Sequence, residues 1–287
     1  SVGNFFNRTD SDSRYALKEG GVVFNETSAD VDFRVESNAN THALFVDAGN
    51  DKVAVGTSSP NAKLAVSGTG TVDLGIGSTN AGGAYLYLDG DSNGDFSGSD
   101  YSYIGHDTSG QLLIHQDSPS GSDNMIFRTN ATEAMKIDAD GQILKPLQCY
   151  FHVTKNADQS DFAVGSQVDV TFETEIKDIG SNFASNTFTA PVTGTYALYL
   201  SMRVDNIETA AAYYAANINT SNRQYRWIEH FNTSGGDYNY ITIQLFAIAD
   251  MDASDTAACQ IYQHSSTQQS DIKNDTSRTY FQGYLLG

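Results

Sequence analysis

The chain has 287 residues, of which 39% are hydrophobic, and carries 35 Asp+Glu against 16 Lys+Arg for a formal net charge of −19 at pH 7. That length suits one large or two ordinary domains. The charge argues against nucleic acid and anionic membrane surfaces as partners, since both demand clustered cations, and no apolar run approaches the ~20 residues of a membrane-spanning helix. The 25 Gly against 4 Pro, with 16 Tyr and 15 Phe in Thr- and Val-rich surroundings, predict many short strands joined by turns.

Residues 1–21 are polar, with Arg8, Arg14 and Lys18 among acids, and show neither an initiator Met nor a signal-peptide pattern. They read as a junction or docking segment to a part N-terminal of this chain. Residues 22–148 then run as short strands. Val31, Phe33 and Val35 alternate with Asp32, Arg34 and Glu36, and Ala43–Val46 and Lys52–Gly56 follow, separated by Ser37–Asn40 and Ala48–Asp51. A weaker copy recurs downstream: Phe33-Arg34 returns as Phe127-Arg128, and Val46-Asp47-Ala48 as Ile137-Asp138-Ala139, each with a Gly turn behind it. Repetition of a strand–turn unit predicts an elongated solenoid or prism. So thin a unit cannot bury both of its faces alone, and three parallel copies around one axis would cover them.

Within this region Asp89-Gly90-Asp91-Ser92-Asn93-Gly94-Asp95 and Asp100 match the ligand spacing of a Ca²⁺ loop, with oxygen donors on Asp89, Asp91, Asn93, Asp95 and Asp100 and a bend at Gly94. Asp100 stands where a longer Glu is usual, and the flanks Ala84–Leu88 and Tyr101–Ile104 read as strands rather than helices. Two readings stand, a calcium loop and an ordinary acidic hairpin loop. None of the six histidines sits at zinc spacing; in a trimer, His115 could converge with its copies on an axis.

From Cys149 onward the strand signals strengthen. Val168–Phe172 and Ile179–Phe183 precede Phe188, Ala190 and Val192, which alternate with Thr187, Thr189 and Thr193. Pro191 belongs at a strand end, and Gly194 is expected to permit the tight bend into Thr195–Leu200. Tyr240–Ile248 reads as a central, buried strand, with part of its apolar surplus facing a threefold axis. Trp227, the one tryptophan, reads as a core or intersubunit anchor. Cys149 and Cys259 lie in apolar strand-like runs and read as buried free thiols, with a single bridge between them the alternative.

The opening strand, Ile179-Gly180-x-x-Phe183, Phe188-Thr189-x-Pro191-x-x-Gly194-x-Tyr196 and the closing Phe281-x-Gly283-Tyr284-Leu285-Leu286 together resemble the globular-head family of complement component one q and tumour necrosis factor. The resemblance spans residues 149–287 and implies a ten-stranded jelly roll that assembles as a trimer. Asp32–Ser37, His42–Ala48, Val55–Leu64, Tyr101–Asp107 and Met135–Asp138 resemble the shafts of bacteriophage tail fibres. No Gly-x-y repeat and no heptad stands in front of the head, so animal-protein functions are not carried across. The expected fold is all-β: an elongated, trimeric β-prism or solenoid-like shaft followed by a jelly-roll β-sandwich head.

The expected function is that of a homotrimeric bacteriophage tail fibre and receptor-binding protein on the virion, joined N-terminally to tail, baseplate or collar proteins. Its head would grip a host-surface receptor, a glycan or a protein. In an alternating jelly roll the connections at 205–211, 232–238 and 265–277 share the end away from the shaft, which nominates Asn206, Asp237, Tyr238, Gln268 and Lys273 as receptor contacts. The alternatives are a capsid- or collar-decorating fibre, a surface adhesin, and a trimeric glycan-degrading enzyme. Gly-x-Ser-x-Gly does not occur, and carboxylate pairs are too common here to mark a site, so no catalytic residue is expected.

Overall fold

The computed structural model describes residues 28–79, 82–90, 98, 100–117, 124–231 and 236–287. Among them every regular element is a strand, and no helix is long and apolar enough to cross a membrane. The chain divides after Asp117 into two compact units.

The first unit holds two small sheets. One is built from β1 (Phe33–Val35), β2 (Leu44–Asp47), β3 (Lys52–Val55) and β4 (Leu64–Val66) in sequential order, antiparallel except for the parallel β3–β4 pair. Only Phe45 and Ala54 of its apolar residues are buried. The other is the antiparallel β5 (Ala84–Asp89), β6 (Tyr101–His106) and β7 (Leu112–Gln116). The two-residue period sorts its side chains cleanly. One face collects Tyr85, Tyr87, Tyr101, Tyr103 and His115 in mutual ring contact. Gly105 makes room for that ladder, since a Cβ there would lie 2.1 Å from the Tyr85 ring. The other face exposes Leu86, Leu88, Ile104, Leu112 and Ile114.

The second unit begins with β8 (Met125–Thr129), β9 (Thr132–Ile137) and β10 (Ile143–Leu144), joined in the order β10-β9-β8. Asn130 and Ala131 both take positive φ, 49° and 62°, the turn whose twist suits a two-residue hairpin. The repeat expected from the sequence has a physical form, though its partner differs. The Asp138 carboxylate accepts from the N–H groups of Asp140 and Gln142, and Asp107 does the same for Ser109 and Gln111. Gly141 and Gly110 follow at φ 78° and 82°. The closest structural twin of 138–142 is therefore 107–111; Asp47 makes a different turn, accepting from Asn50.

The rest is a sandwich of two sheets. Its strands are β11 (Tyr150–Thr154), β12 (Gln167–Asp169), β13 (Thr174–Asp178), β14 (Phe183–Ala184), β15 (Thr187–Thr189), β16 (Gly194–Ile207), β17 (Tyr213–Thr220), β18 (Gln224–Glu229), β19 (Tyr238–Met251), β20 (Thr256–His264), β21 (Asp271–Ile272) and β22 (Tyr280–Leu285). The first sheet runs β13-β11-β22-β16-β19 with β21 against β16; the second runs β14-β15-β20-β17-β18 with β12 against β20. After β15 the chain passes to the first sheet, back for β17 and β18, across for β19, back for β20 and across again for β22. That winding is a jelly roll. Between the sheets Phe151, Phe183, Phe188 and Phe281 stack with one another, all at most 5% exposed.

Two expectations are corrected. Gly194 does not turn the chain: it opens β16 in an extended conformation, and its missing side chain admits Leu285 Cδ1 and Gly287 O, which would lie 2.8 and 3.0 Å from a Cβ. Tyr240–Ile248 is not central and buried either. β19 is an edge strand whose inner residues Ile243, Ala247 and Ala249 are covered while Tyr240, Phe246 and Ile248 face outward. A long apolar run fits a strand covered on both sides, and here one side is left bare by the single chain.

Candidate contact surfaces

The three nominated connections meet at one end of the sandwich. Asn206 donates to Asp271 (3.1 Å), and the Thr209 N–H and hydroxyl both donate to Asp237 (2.8 and 3.0 Å). Residue 238 pairs with Ile207 as β19 begins, and its ring touches Phe231. The largely buried Glu208 carboxylate collects Ser266 Oγ, Thr267 Oγ1 and the N–H groups of Thr267 and Gln268. Lys273 is held by Asp158. These bonds tie the connections to one another. Residues 232–235 lie outside the described residues.

Asp89 closes β5 and Asp100 directly precedes β6, with Asp89 opposite Tyr101, so the acidic loop spans a β-hairpin as its flanks predict. Asp91, Asn93 and Asp95 lie outside the described residues. No group of three metal-ligating side chains occurs among the described ones. His115 stacks on Tyr103 at 4.7 Å and lies 3.9 Å from Asp117.

Both cysteines are buried and unpaired with each other. Burial pushes the Cys259 thiol well above its ordinary range. Burial, aided by the Asp178 charge and opposed by Asn182, raises Cys149 to about 11. Since the thiolate is the reactive species, the folded protein should show no thiol reactive toward a disulfide reagent at pH 8, and two after denaturation. Rapid native labelling would contradict this burial.

Two outward sheet faces differ sharply in chemistry. On the first sheet, Tyr150, Tyr199, Phe246, Tyr280, Gln282 and Tyr284 line a cavity of about 340 Å³. Phe246, Ile248 and Tyr284 there are 59%, 55% and 47% exposed. The middle of this face, which also carries Ala197, Ser201 and Gln244, contains no charged side chain. His152 belongs to it, and its Nε2 is buried without a hydrogen-bond partner among the described residues. The second sheet's outer face is instead polar and aromatic, with Asp169, Gln260, Asn217 and Arg226 opposite one another across four strands.

No protein-family model and no curated protein matches the chain. Among solved structures it is similar to the globular domain of zebrafish complement 1qA protein, at 13% identity over 49% of this chain and 98% of that one, with a TM-score of 0.37. Murine APRIL matches at 12% identity over 48% and 99%, also with a TM-score of 0.37. None of these neighbours is a tail-fibre shaft. The jelly roll itself stands on the chain's own strand order.

Proposed function

We propose that the chain is a homotrimeric attachment protein, the receptor-binding part of a bacteriophage tail fibre, whose head grips a host-surface glycan or protein. The observation that carries this reading is the bare middle of the first sheet's outer face. Phe246, Ile248 and Tyr284 are exposed there, and charges stand only toward the margins, Arg203 and Asp205 at one end and Asp250 at the other. Around a threefold axis the same residue of each copy converges, so a charge placed there would meet its own kind. A chain with 35 acidic residues that keeps the middle of an apolar face free of them suits packing against itself. The small sheets support the same reading, for Leu86, Leu88, Ile104, Leu112 and Ile114 on one, and Ile126, Ile143 and Leu144 on another, are exposed too. Another copy supplies a matching face for each of these sheets. Three weak sites on one head, and several fibres per particle, then raise avidity through effective concentration. The same reading keeps Ca²⁺ at the 89–100 loop as a brace for the β5–β6 hairpin.

Light scattering on the purified chain should give three times the 31.0 kDa chain mass. Phe246→Asp with Ile248→Asp should give a folded monomer, because aspartates at the interface would repel and desolvate. A wild-type monomer overturns the reading. Repeating the measurement in EDTA tests the ion, since an unchanged trimer removes calcium from assembly. Labelled trimer should adsorb to cells of a susceptible bacterial strain; loss after periodate oxidation of the cells identifies a glycan receptor, and retention a protein.

A further inference from the structure

We infer that the outer face of the second sheet is a saccharide platform, with Arg226 placed to receive a sugar carboxylate; this rests on the attachment reading and locates its grip away from the loop end. Asp169 on β12, Gln260 on β20, Asn217 on β17 and Arg226 on β18 form one row. Gln260 donates to Asp169 at 2.7 Å, Asn219 to Gln260 at 2.7 Å, Gln224 to Asn219 at 2.9 Å, and Arg226 Nε to Asn217 Oδ1 at 2.8 Å. An ordinary solvated sheet face leaves such side chains loose. Here the amides and the guanidinium are held in place before any ligand arrives, which lowers the ordering cost of binding.

One step along the strands the chemistry changes. Ala215, fully buried, forms a floor between Tyr262 and Ile228. Beyond it Tyr213 stacks on His264 at 4.8 Å, with Tyr262 and His230 at 5.6 and 5.8 Å. Strand spacing and rise make the whole face on the order of 14 Å by 20 Å, room for a short oligosaccharide. Aromatic rings offer a surface to the C–H face of a sugar, and fixed amides meet its hydroxyls.

The charge pattern narrows the ligand. Arg226 makes no ion pair among the described residues although acids outnumber bases 35 to 16. With Nε on Asn217, both terminal nitrogens of its planar fork remain for a carboxylate. The buried Asn217 Nδ2 is without a partner among the described residues, an unspent donor in the same row that a ligand would reach only by displacing the side chains covering it. The side chains of the loop-end candidates Asn206, Asp237 and Lys273 are engaged within the protein by comparison.

The test is calorimetric titration of the full chain with a galacturonate tetrasaccharide, maltotetraose and a tetra-aspartate peptide. The galacturonate should bind saturably, with maltotetraose weaker. Arg226→Ala and Tyr213→Ala should each weaken it at least tenfold at an unchanged thermal midpoint, Arg226→Lys should fall between, and Lys273→Ala should leave it unaltered. No saturable binding of either sugar at millimolar concentration overturns the inference, as does binding that these substitutions leave intact. Equal or tighter binding of the peptide through the same residues overturns the saccharide assignment. A trimer that adsorbs to cells equally well with Arg226→Ala sinks the platform and leaves attachment standing. Sugar binding by a chain that neither trimerises nor adsorbs does the reverse.

Discussion

Phe281→Ala is expected to destabilise the head by about 3–5 kcal/mol, read as a shift in the denaturant midpoint at fixed chain concentration. Phe281 is fully buried on β22, the strand paired on both sides by β11 and β16. Its ring meets Phe151 edge-on at 5.0 Å, with Phe172 at 6.0 Å and Phe183 at 6.3 Å. Truncation therefore removes one member of an aromatic set that joins both sheets, and neighbours held by sheet hydrogen bonds cannot collapse into the void. Tyr284 on the same strand supplies the contrast, since it points outward and is 47% exposed. Tyr284→Ala should barely move the midpoint of a dissociated head and act instead on assembly. A cost below about 1 kcal/mol for Phe281→Ala, typical of a surface change, would mean that the sandwich does not close around this ring.

The alternation of Phe188 and Ala190 was legible from the residues because burial on one side of a strand imposes a two-residue period. Val192, expected on the same face, is 47% exposed because it lies between β15 and β16, where that period no longer holds. Gly194 was legible as necessary and misread as to cause. A glycine that turns and a glycine that admits a neighbour look alike in one dimension, and the neighbours here, Leu285 and Gly287, lie more than ninety positions away. The place of β19 at an edge was hidden similarly, because an apolar run does not say whether its second face is covered by this chain or by another. Least visible was the row of Asp169, Gln260, Asn217 and Arg226. Each residue is an ordinary polar member of its own strand, and only the register of β12, β20, β17 and β18 sets them side by side. The signal that was available is weaker: β17 and β18 carry amides and an arginine in place of the usual Thr and Val.

Acid should loosen the loop end of the head before it melts the sandwich, and Asp275 should account for much of that. Its carboxylate is held well below the usual range, first by the Ser277 hydroxyl at 2.6 Å, against a desolvation penalty, and then by Arg278 and Arg203 at 2.7 and 3.2 Å. Both guanidinium groups also lie over the Tyr240 ring, at 4.7 and 5.1 Å. Asp158 is lowered as well, first by the Asn274 N–H and then by Lys273, so the connection from β21 to β22 is tied at two points by ionised carboxylates. A carboxyl depressed in the folded state stabilises it fully above the unfolded value, about 3.9 for Asp. That contribution drains away as the pH falls from there through the folded value. The thermal midpoint should accordingly be flat near neutrality and drop below about pH 4. Asp275→Asn should sit lower at pH 7 and fall less steeply, so the gap to the parent narrows between about pH 4 and pH 2. These groups are partly exposed, with side-chain exposures of 15% for Asp275, 23% for Arg203 and 36% for Arg278, so added salt should narrow the gap as well. A gap that stays constant from pH 7 to pH 2 would show that Asp275 serves the loop through its shape and hydrogen bonds alone, with its charge contributing nothing.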